Sequence, residues 1–426
     1  MTLSQAEHIV IIGAGAAGLM AARELARAGK RVTVLEARDR CGGRIHPLPT
    51  AEFAYPAEGG AEFVHGDAPL TRSLLREAGL SLLTIQGMRR TVRDGKLTRE
   101  ESQDPHEAEL REALQELKDD LPVAEFLRRH FADPEYERLR RSIERIVEGY
   151  DAADPERAST LALRDEWMDG RQRTQARIVG GYGALIDFLT AECRNHGVAI
   201  RLGSAVTVIE TIDSARILVR CATGETFVGD TVVLTVPLPL LQKITLPEAV
   251  REKSAAAGHI GFGNVIKTLL RFETHWWANQ RPELRDVTFV LSDERIPVWW
   301  TQFPKERPVL TGWFGGPKTE ALADLREDQL IEAGLASLAD IFALPPEQLK
   351  QSLVAARAIN WKNDQFARGA YSYAKLGTRQ AQAALAGADG SAVFFAGEAL
   401  YRGKDMGTVE AALASGLETA RIILHG

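Results

Sequence analysis

Residues 8–36, HIVIIGAGAAGLMAARELARAGKRVTVLE, place a G-x-G-x-x-G turn between an apolar strand and an alanine-rich helix. In such a turn Gly13 permits a sharp bend, Gly15 lets the backbone approach a pyrophosphate, and Gly18 lets the helix pack closely on the strand. The phosphate binds at the helix N-terminus, where backbone N–H groups have no partner within the helix. A second apolar run ends at Glu36, at the distance where an acid binds ribose hydroxyls. The segment therefore predicts a dinucleotide site.

The residues after Glu36 favour a flavin over a nicotinamide cofactor. The chain continues as ARDRCGGR, which places Gly42, Gly43 and Arg44 directly after the predicted ribose ligand. Nicotinamide enzymes do not need this second glycine turn. A turn with a guanidinium suits a cofactor whose pyrophosphate and ribityl chain extend past the helix, since arginine binds phosphate oxygens bidentately.

Composition and charge exclude several other classes of protein. The chain has 426 residues, 45% of them apolar, and a net charge of −6 without a basic cluster, so we expect no nucleic-acid partner. Its three cysteines have no metal-ligand spacing, which predicts reduced thiols, no metal and a cytoplasmic location. The N-terminus lacks the features of a secretion signal, and no apolar run is long enough to span a bilayer. We expect no membrane partner, and a homodimer stays open.

Three further motifs extend the pattern along the chain. They are GGAEFVHG at 59–66, IVGGYGALIDFL at 178–189 and VFFAGEALYRGKDMGTVEAALASG at 393–416. With the N-terminal segment, they make residues 8–424 resemble the flavin-containing amine oxidases, the family of monoamine and polyamine oxidases and L-amino-acid oxidases. The pattern is most similar to the soluble polyamine-oxidase-like branch.

The sequence also indicates how the chain is organised. Apolar runs rich in β-branched residues predict strands at 198–202, 217–220 and 231–235. Charged helical periodicity predicts a helical region over 104–166, and a strand set over 264–311 precedes a helix over 326–342.

The resemblance implies an α/β fold in which a Rossmann-like FAD-binding domain of the GR2 type carries an inserted α+β substrate domain. That second domain is expected to contain a mixed sheet and a helical subdomain. The predicted FAD-binding domain comprises 1–79, 178–256 and 365–426. The predicted substrate-binding domain comprises 80–177 and 257–364, with its helical part at about 104–177.

The resemblance further implies a set of cofactor contacts along the chain. Glu398 is expected to accept hydrogen bonds from ribityl hydroxyls, with a solvated carboxylate at the end of a strand as the alternative. Val206 is expected to hold the adenine through its backbone. A helix that begins at Gly407 and Thr408 is expected to face the flavin pyrimidine ring and stabilise negative charge; a capped surface helix is the alternative. The predicted cofactor contacts are Gly13, Gly15, Ala16, Ala17, Gly18, Glu36, Ala37, Arg38, Gly43, Arg44, Gly60, Ala61, Glu62, Val206, Trp361, Gly397, Glu398, Gly407, Thr408 and Val409.

Lys267 is the first predicted catalytic residue. It lies in GFGNVIKTLLRF, where strand alternation would place Lys267, Leu269 and Arg271 on one face, which could be a solvated face. The family has a lysine at this point in G-x-x-x-K, held through water near flavin N5, and Gly263 supplies the matching glycine. The resemblance therefore implies that Lys267 positions water or activates oxygen.

Tyr371 and His65 are the other predicted catalytic residues. Tyr371 matches one wall of the family's aromatic cage over the flavin, while the second wall falls on Thr408. Ala370 occupies the position of the cysteine that binds flavin covalently in monoamine oxidases, so FAD is expected to be non-covalent. His65 matches a histidine on the substrate side. Three tryptophans could add aromatic surface or belong to the core: Trp299, Trp300 and Trp313.

The predicted reaction is oxidation of a primary or secondary amine, with polyamines among the candidates, by hydride transfer to flavin N5. The imine is then hydrolysed to an aldehyde, and O2 reoxidises the flavin to give hydrogen peroxide. An L-amino-acid oxidase is an alternative that needs an arginine in the pocket, supplied by Arg89 or Arg90. An FAD-dependent desaturase or isomerase and a flavin-bearing interaction protein are the others.

Overall fold

The computed structural model describes residues 7–93, 96–99, 104–168, 174–213, 216–386 and 392–425. The strands are β1 (His8–Ile12), β2 (Arg31–Leu35), β3 (Val64–His65), β4 (Leu82–Thr84), β5 (Met88–Arg93), β6 (Lys96–Arg99), β7 (Gln175–Ile178), β8 (Ala199–Arg201), β9 (Val206–Thr211), β10 (Ile217–Cys221), β11 (Thr226–Gly229), β12 (Thr231–Leu234), β13 (Gly261–Phe262), β14 (Val265–Phe272), β15 (Val287–Leu291), β16 (Val298–Trp300), β17 (Val309–Gly315), β18 (Leu353–Asn360), β19 (Ser372–Tyr373) and β20 (Val393–Phe395). The helices are α1 (Ala16–Arg27), α2 (Thr50–Phe53), α3 (Pro69–Glu77), α4 (Glu107–Glu116), α5 (Val123–His130), α6 (Glu137–Gly149), α7 (Thr160–Trp167), α8 (Gly181–Asn195), α9 (Leu238–Leu241), α10 (Glu248–Ser254), α11 (Trp276–Gln280), α12 (Glu327–Phe342), α13 (Pro346–Gln351), α14 (Thr378–Ala386) and α15 (Val409–His425).

A parallel sheet with the strand order β20-β12-β1-β2-β8 carries the predicted dinucleotide turn, which follows β1. Its central strand reads HIVII, and Ile9, Val10 and Ile11 are completely buried, as expected where both faces of a parallel sheet are covered. The predicted strands at 198–202, 217–220 and 231–235 are found as β8, β10 and β12, each within two residues of the predicted ends.

Helices α1, α8 and α15 share one hydrophobic core on one face of this sheet. The antiparallel sheet β11-β10-β9 shares a second core with the other face. A Cβ atom at Gly18 would lie 2.0 Å from the carbonyl oxygen of Gly13, and one at Gly416 would lie 2.2 Å from that of Ala17. Glycine at these positions is therefore what lets α1 approach the turn and α15 approach α1.

The second sheet is mixed and contains seven strands in the order β18-β14-β17-β16-β15-β5-β6. Strand β14 is antiparallel to β17 and β18, whereas β15 is parallel to β5. The strand set predicted over 264–311 belongs to this sheet, and the helix predicted over 326–342 is α12, which packs on β14 and β18. The predicted α/β fold with an added mixed sheet is confirmed.

Helices α4 to α7 build the predicted helical region around their own hydrophobic core. The predicted range of 104–177 also contains the start of β7, which pairs with β3 and β4. This small sheet joins strands from both sides of the predicted boundary between residues 79 and 80. The domain boundaries themselves remain a prediction.

We expect Gly18→Ala to lower the melting temperature, because the new methyl group would meet the Gly13 carbonyl within the turn. Overpacking of this kind costs about 1–3 kcal/mol. Gly258→Ala is the control, since nothing lies within 4 Å of a Cβ atom built at Gly258. Thermal melts followed by circular dichroism compare the two variants, and a parent-like melt for Gly18→Ala would contradict the close approach.

Candidate active site

A cavity of about 1310 Å³ is lined by strand ends and loops of both sheets and by residues of the helical region. It is lined by every predicted cofactor and catalytic residue except Gly18, which packs against the carbonyl of Gly13 instead. The chain therefore brings together residues from position 13 to position 409 in one cavity. The specific contact assigned to each of them remains a prediction.

The glycine turn has the form that a phosphate site requires. Gly13 has a φ of +108°, which L side chains rarely adopt, and a Cβ there would lie 2.5 Å from Thr235 Oγ1. Gly15 precedes α1, and no side chain caps the N-terminus of this helix. Because Gly15, Ala16 and Ala17 also line the cavity, the free N–H groups and positive dipole end of α1 fit a pyrophosphate there.

Glu36 is buried at the end of β2 and held by the backbone. Its two carboxylate oxygens accept hydrogen bonds from the N–H groups of Ala14 at 2.8 Å and Arg38 at 2.9 Å. The guanidinium of Arg38 binds Asp364 through two hydrogen bonds of 2.9 and 2.5 Å. Burial acts to raise the pKa of Asp364, but Arg38 outweighs burial and lowers that pKa. The side chain of Arg38 is thus directed to Asp364.

Arg44 and Glu398, predicted to bind different parts of the cofactor, form an ion pair at 2.7 Å. Arg44 Nη1 also donates to the carbonyl of Ala370 at 2.7 Å. Glu398 is buried, 4% exposed, and accepts hydrogen bonds from the backbone and hydroxyl of Ser372. A solvated Glu398, the alternative to a cofactor contact, is therefore wrong.

The N-terminus of α15 was predicted either to face the flavin or to be a capped surface helix, and it has features of both. Thr408 Oγ1 accepts a hydrogen bond from the N–H of Ala411 at 3.1 Å, so the helix has a side-chain cap. Gly407, Thr408 and Val409 also line the cavity. The helix is capped, and its dipole end faces the cavity rather than the protein surface.

Lys267 lies in the middle of β14 and is completely buried, so the alternative of a solvated lysine is wrong. Its backbone pairs with Trp313 on β17 and with Ile359 on β18. Its Nζ donates to the carbonyl of Gly60 at 3.1 Å and to Glu62 Oε2 at 2.9 Å. The ammonium also lies 5.4 Å from the centre of the Trp300 ring.

Glu62 was predicted among the cofactor contacts, but its carboxylate is bound by protein side chains. Besides Lys267, it accepts from Arg177 Nε at 2.8 Å, from Gln302 at 3.1 Å and from Trp300 Nε1 at 3.1 and 3.2 Å. Burial acts to raise the pKa of Glu62, but Lys267 and Arg177 outweigh burial and lower that pKa to about 2. Glu62 is therefore ionised at neutral pH.

Tyr371 and His65 meet through Tyr150, a residue that sequence reasoning missed. Tyr371 Oη donates to the carbonyl of Tyr150 at 2.6 Å, and Tyr150 Oη lies 3.1 Å from His65 Nδ1. Burial lowers the pKa of His65 to about 4, so its imidazole is neutral at pH 7.

Aromatic rings continue along the cavity wall from Tyr371. The Tyr371 and Trp313 rings are stacked with their centres 6.5 Å apart, and the centres of the Trp313 and Trp300 rings lie 5.7 Å apart. Trp299 is fully buried and belongs to the core.

Carboxyl groups that the sequence did not reveal also line the cavity. They belong to Asp151, just after α6, to Glu166 in α7 and to Asp405 before α15. Burial raises the pKa of Asp151 to about 7. Burial, followed by the charges of neighbours that include Asp151 and Glu166, raises the pKa of Tyr371 well above its ordinary value, so these two acids lie close to the aromatic wall. Asp151 and Glu166 belong to a charged helical segment whose sequence resembles that of exposed helices. The sequence therefore gave no indication that these acids line a cavity.

Only one of the two arginines considered for a carboxylate-binding role lines the cavity. Arg89 lines it and lies 5.3 Å from the centre of the Phe289 ring. Arg90 donates to the carbonyl of Glu283 at 3.0 Å instead.

The cavity combines a dinucleotide turn with a buried lysine and a stacked tyrosine, as the resemblance to flavin-containing amine oxidases implied. The family model described as flavin containing amine oxidoreductase matches residues 16–424. The chain belongs to this family, and it is a flavin-dependent oxidoreductase that acts on CH–NH or CH–NH2 groups. The predicted resemblance is confirmed. No described helix is long and apolar enough to cross a membrane.

Individual relatives agree with this assignment. Probable polyamine oxidase 4 of Arabidopsis thaliana is 27% identical over 98% of this chain and 88% of its own length. Lysine-specific histone demethylase 2 of Homo sapiens is 26% identical over 97% of this chain and 53% of its own length. Among solved structures, a putrescine oxidase bound to putrescine has a TM-score of 0.82 at 20% identity, with 99% of both chains covered. Cyclohexylamine oxidase from Brevibacterium oxydans IH-35A has a TM-score of 0.78 at 21% identity, with 98% of both chains covered.

We expect Glu36→Ala and Arg44→Ala each to weaken flavin retention. Each change removes one charged hydrogen-bonding group from the cavity wall, and such a bond contributes roughly 1.5–3 kcal/mol. The ratio of flavin to protein after gel filtration, and titration of the apoprotein with flavin, measure the loss. Parent-like affinity in both variants would contradict the placement of the cofactor along α1 and the second glycine turn.

Proposed function

We propose that the chain oxidises a cationic primary or secondary amine, with diamines and polyamines as the favoured substrates, using FAD bound non-covalently. The observation that carries the proposal is the single cavity in which the dinucleotide turn, Lys267 and Tyr371 meet several carboxyl groups. Bound FAD would take up a hydride equivalent from the carbon beside the nitrogen and pass its electrons to O2. Hydrolysis of the imine product then gives an aldehyde, and reduction of O2 gives hydrogen peroxide.

The residues around Tyr371 prepare the amine for oxidation. Tyr371, Trp313 and Trp300 present aromatic surface to the cavity, which excludes water from the reacting carbon. An apolar environment of this kind also favours the neutral amine, the form from which a hydride can leave. His65 is neutral at pH 7, so it adds hydrogen-bonding capacity without adding a positive charge that would repel the substrate.

The carboxyl groups in the cavity would attract a second positive charge on the substrate. Asp151 and Glu166 line the same cavity as Tyr371, and an ionised carboxylate there would bind the distal ammonium of a diamine while its other nitrogen loses its proton near the aromatic wall. A monoamine has no charge at that end. The combination of aromatic surface and carboxyl groups in one cavity supports a diamine or polyamine over a simple monoamine.

An L-amino-acid oxidase remains the second candidate, because Arg89 lines the cavity and presents a cation that could bind a carboxylate. The acids Asp151 and Glu166 oppose this interpretation, since they would repel the substrate carboxylate. A desaturase or isomerase acting on an apolar molecule would have no use for either set of charges.

The test of the proposed function is anaerobic reduction of the purified flavoprotein. Monoamines, diamines, polyamines, amino acids and an N-methyl-lysine peptide are mixed with it separately, and loss of the flavin absorbance band reports oxidation. We expect diamines or polyamines to bleach the flavin fastest and air to restore the band with formation of peroxide. Bleaching by amino acids alone would favour the second candidate, and bleaching by no amine would refute the proposal.

We expect acid or heat to release intact FAD into the supernatant. Ala370 is buried at the cavity wall, and its methyl group offers no nucleophile for a covalent bond to flavin. Flavin that stays with the precipitated protein would contradict non-covalent binding. Mass spectrometry of the supernatant distinguishes FAD from FMN.

We expect Asp151→Asn to raise KM for a diamine by about tenfold, equivalent to about 1.4 kcal/mol, and to change KM for a monoamine much less. The pKa of Asp151 is raised to about 7, so its carboxylate is charged above that pH. In the parent, KM for the diamine should therefore fall as pH rises through 7, and the variant should lose this trend. Asp328→Asn is the control, because Asp328 is exposed and pairs with Arg326. Equal KM changes for both amines would contradict a distal ammonium site.

A further inference from the structure

We propose that Glu62 is a positioning residue for Lys267: its carboxylate fixes Nζ at the cavity wall and supplies the counter-charge of the buried ammonium. Lys267 then acts as a fixed cation beside the flavin and does not take the proton from the substrate ammonium. This inference rests on the proposed function for its setting. It depends on geometry that the sequence did not indicate, because GGAEFVHG suggested only a cofactor contact for Glu62.

The first support is the number of side chains that converge on Glu62. The donors to its carboxylate are Arg177 on β7, Lys267 on β14, Trp300 at the end of β16, and Gln302, two residues after β16. Every contact is between 2.8 and 3.2 Å, and the Glu62 side chain is only 7% exposed. A carboxylate held from several strands cannot rotate away from its partners, so its position is set before any ligand binds.

The second support is the way these donors divide between the two oxygens. Oε1 accepts from Arg177, Gln302 and Trp300, whereas Oε2 accepts from Lys267 and again from Trp300. Arg177 thus anchors one oxygen, and the other is left to hold Lys267. Arg177 is itself fixed, because its guanidinium donates to the carbonyl of Thr301 at 2.9 Å.

The third support is the hydrogen-bonding capacity of Lys267. An ammonium has three N–H donors. Among the described residues, the carbonyl of Gly60 and the carboxylate of Glu62 accept two of them. Lys267 also lines the cavity, so the remaining donor is available to a molecule bound there.

Charge explains why the carboxylate matters for chemistry as well as for packing. A buried lysine without a counter-ion tends to lose its proton, whereas a carboxylate at 2.9 Å stabilises the ammonium. The other titratable groups around Glu62 are Arg177, Glu58 and Tyr55. Burial raises the pKa of Glu58 to about 7, so Glu58 is about half ionised at neutral pH, and burial raises the pKa of Tyr55 well above its ordinary value. Glu62, whose pKa is lowered to about 2, is therefore the one acid of these three that is fully ionised at neutral pH.

The experiment compares Glu62→Gln, Lys267→Met and the double variant, with Glu52→Gln as the control. Glu52 pairs with Arg357 in a partly exposed ion pair at 2.6 Å, so it offers the same chemical change outside the cavity. The readouts are the midpoint potential of the bound flavin, measured with a chemical reductant, and the rate constants for flavin reduction by amine and reoxidation by O2. The potential requires no substrate.

We expect Glu62→Gln to shift the flavin potential and to slow at least one half-reaction by about tenfold or more, with KM for the amine changed far less. If Glu62 acts through Lys267, the double variant should match Lys267→Met in both potential and rate. Glu62→Asp, which keeps the charge on a shorter side chain, should lie between the parent and Glu62→Gln. It also keeps the test available if Glu62→Gln fails to fold.

Two results would overturn the inference. One is a double variant whose effects are the product of the single ones, since Glu62 would then act independently of Lys267. The other is a Glu62→Gln protein with the parent's potential and half-reactions. Failure of every amine to reduce the parent flavin would instead count against the proposed function, and the potentials would still decide whether Glu62 and Lys267 are coupled.

Discussion

A charged amine that is fully buried must be neutralised by neighbours, and much of the cavity is arranged around that requirement at Lys267. The lysine belongs to the mixed sheet, whereas Gly60 and Glu62 belong to the loop between α2 and β3. The hydrogen bonds between them hold this loop against β14. Because a buried ion that loses one partner costs several kcal/mol, the relative placement of the sheet and the loop is strongly determined.

Two other ion pairs join distant parts of the chain at the same cavity. Arg38 binds Asp364, and Arg44 binds Glu398, so residues after the first βαβ unit are tied to the C-terminal third of the chain. Glu398 and Arg38 are largely buried, unlike the exposed pairs along α4, α5 and α6, where the expected contribution is about 0–1 kcal/mol each. Burial makes the cavity pairs sensitive to the removal of one partner. The exposed pairs can be lost at little cost.

Sequence reasoning predicted the parts of this structure that local spacing determines. The glycines of the first turn, Glu36 and the helix after Gly407 each lie where the motif required, because a tight turn or a helix start depends on adjacent residues. It did not determine the environment of Lys267. Strand alternation gives only which residues share a face. Helix α12 covers the face of β14 that carries Thr268, and the loop with Gly60 and Glu62 covers the face that carries Lys267.

The partners of Glu62 could not be predicted from the sequence either, because they are distant along the chain. Arg177 is 115 residues away along the chain and Lys267 is 205 residues away, so no local pattern links them. Tyr150 and Asp151 likewise follow a charged helix that gives no sign of the cavity beside it. The cavity therefore combines a lysine that is paired with Glu62 and acids that lie close to Tyr371. Under the proposed function, the acids would attract one ammonium of a diamine, while the aromatic surface would favour the neutral form of the other nitrogen.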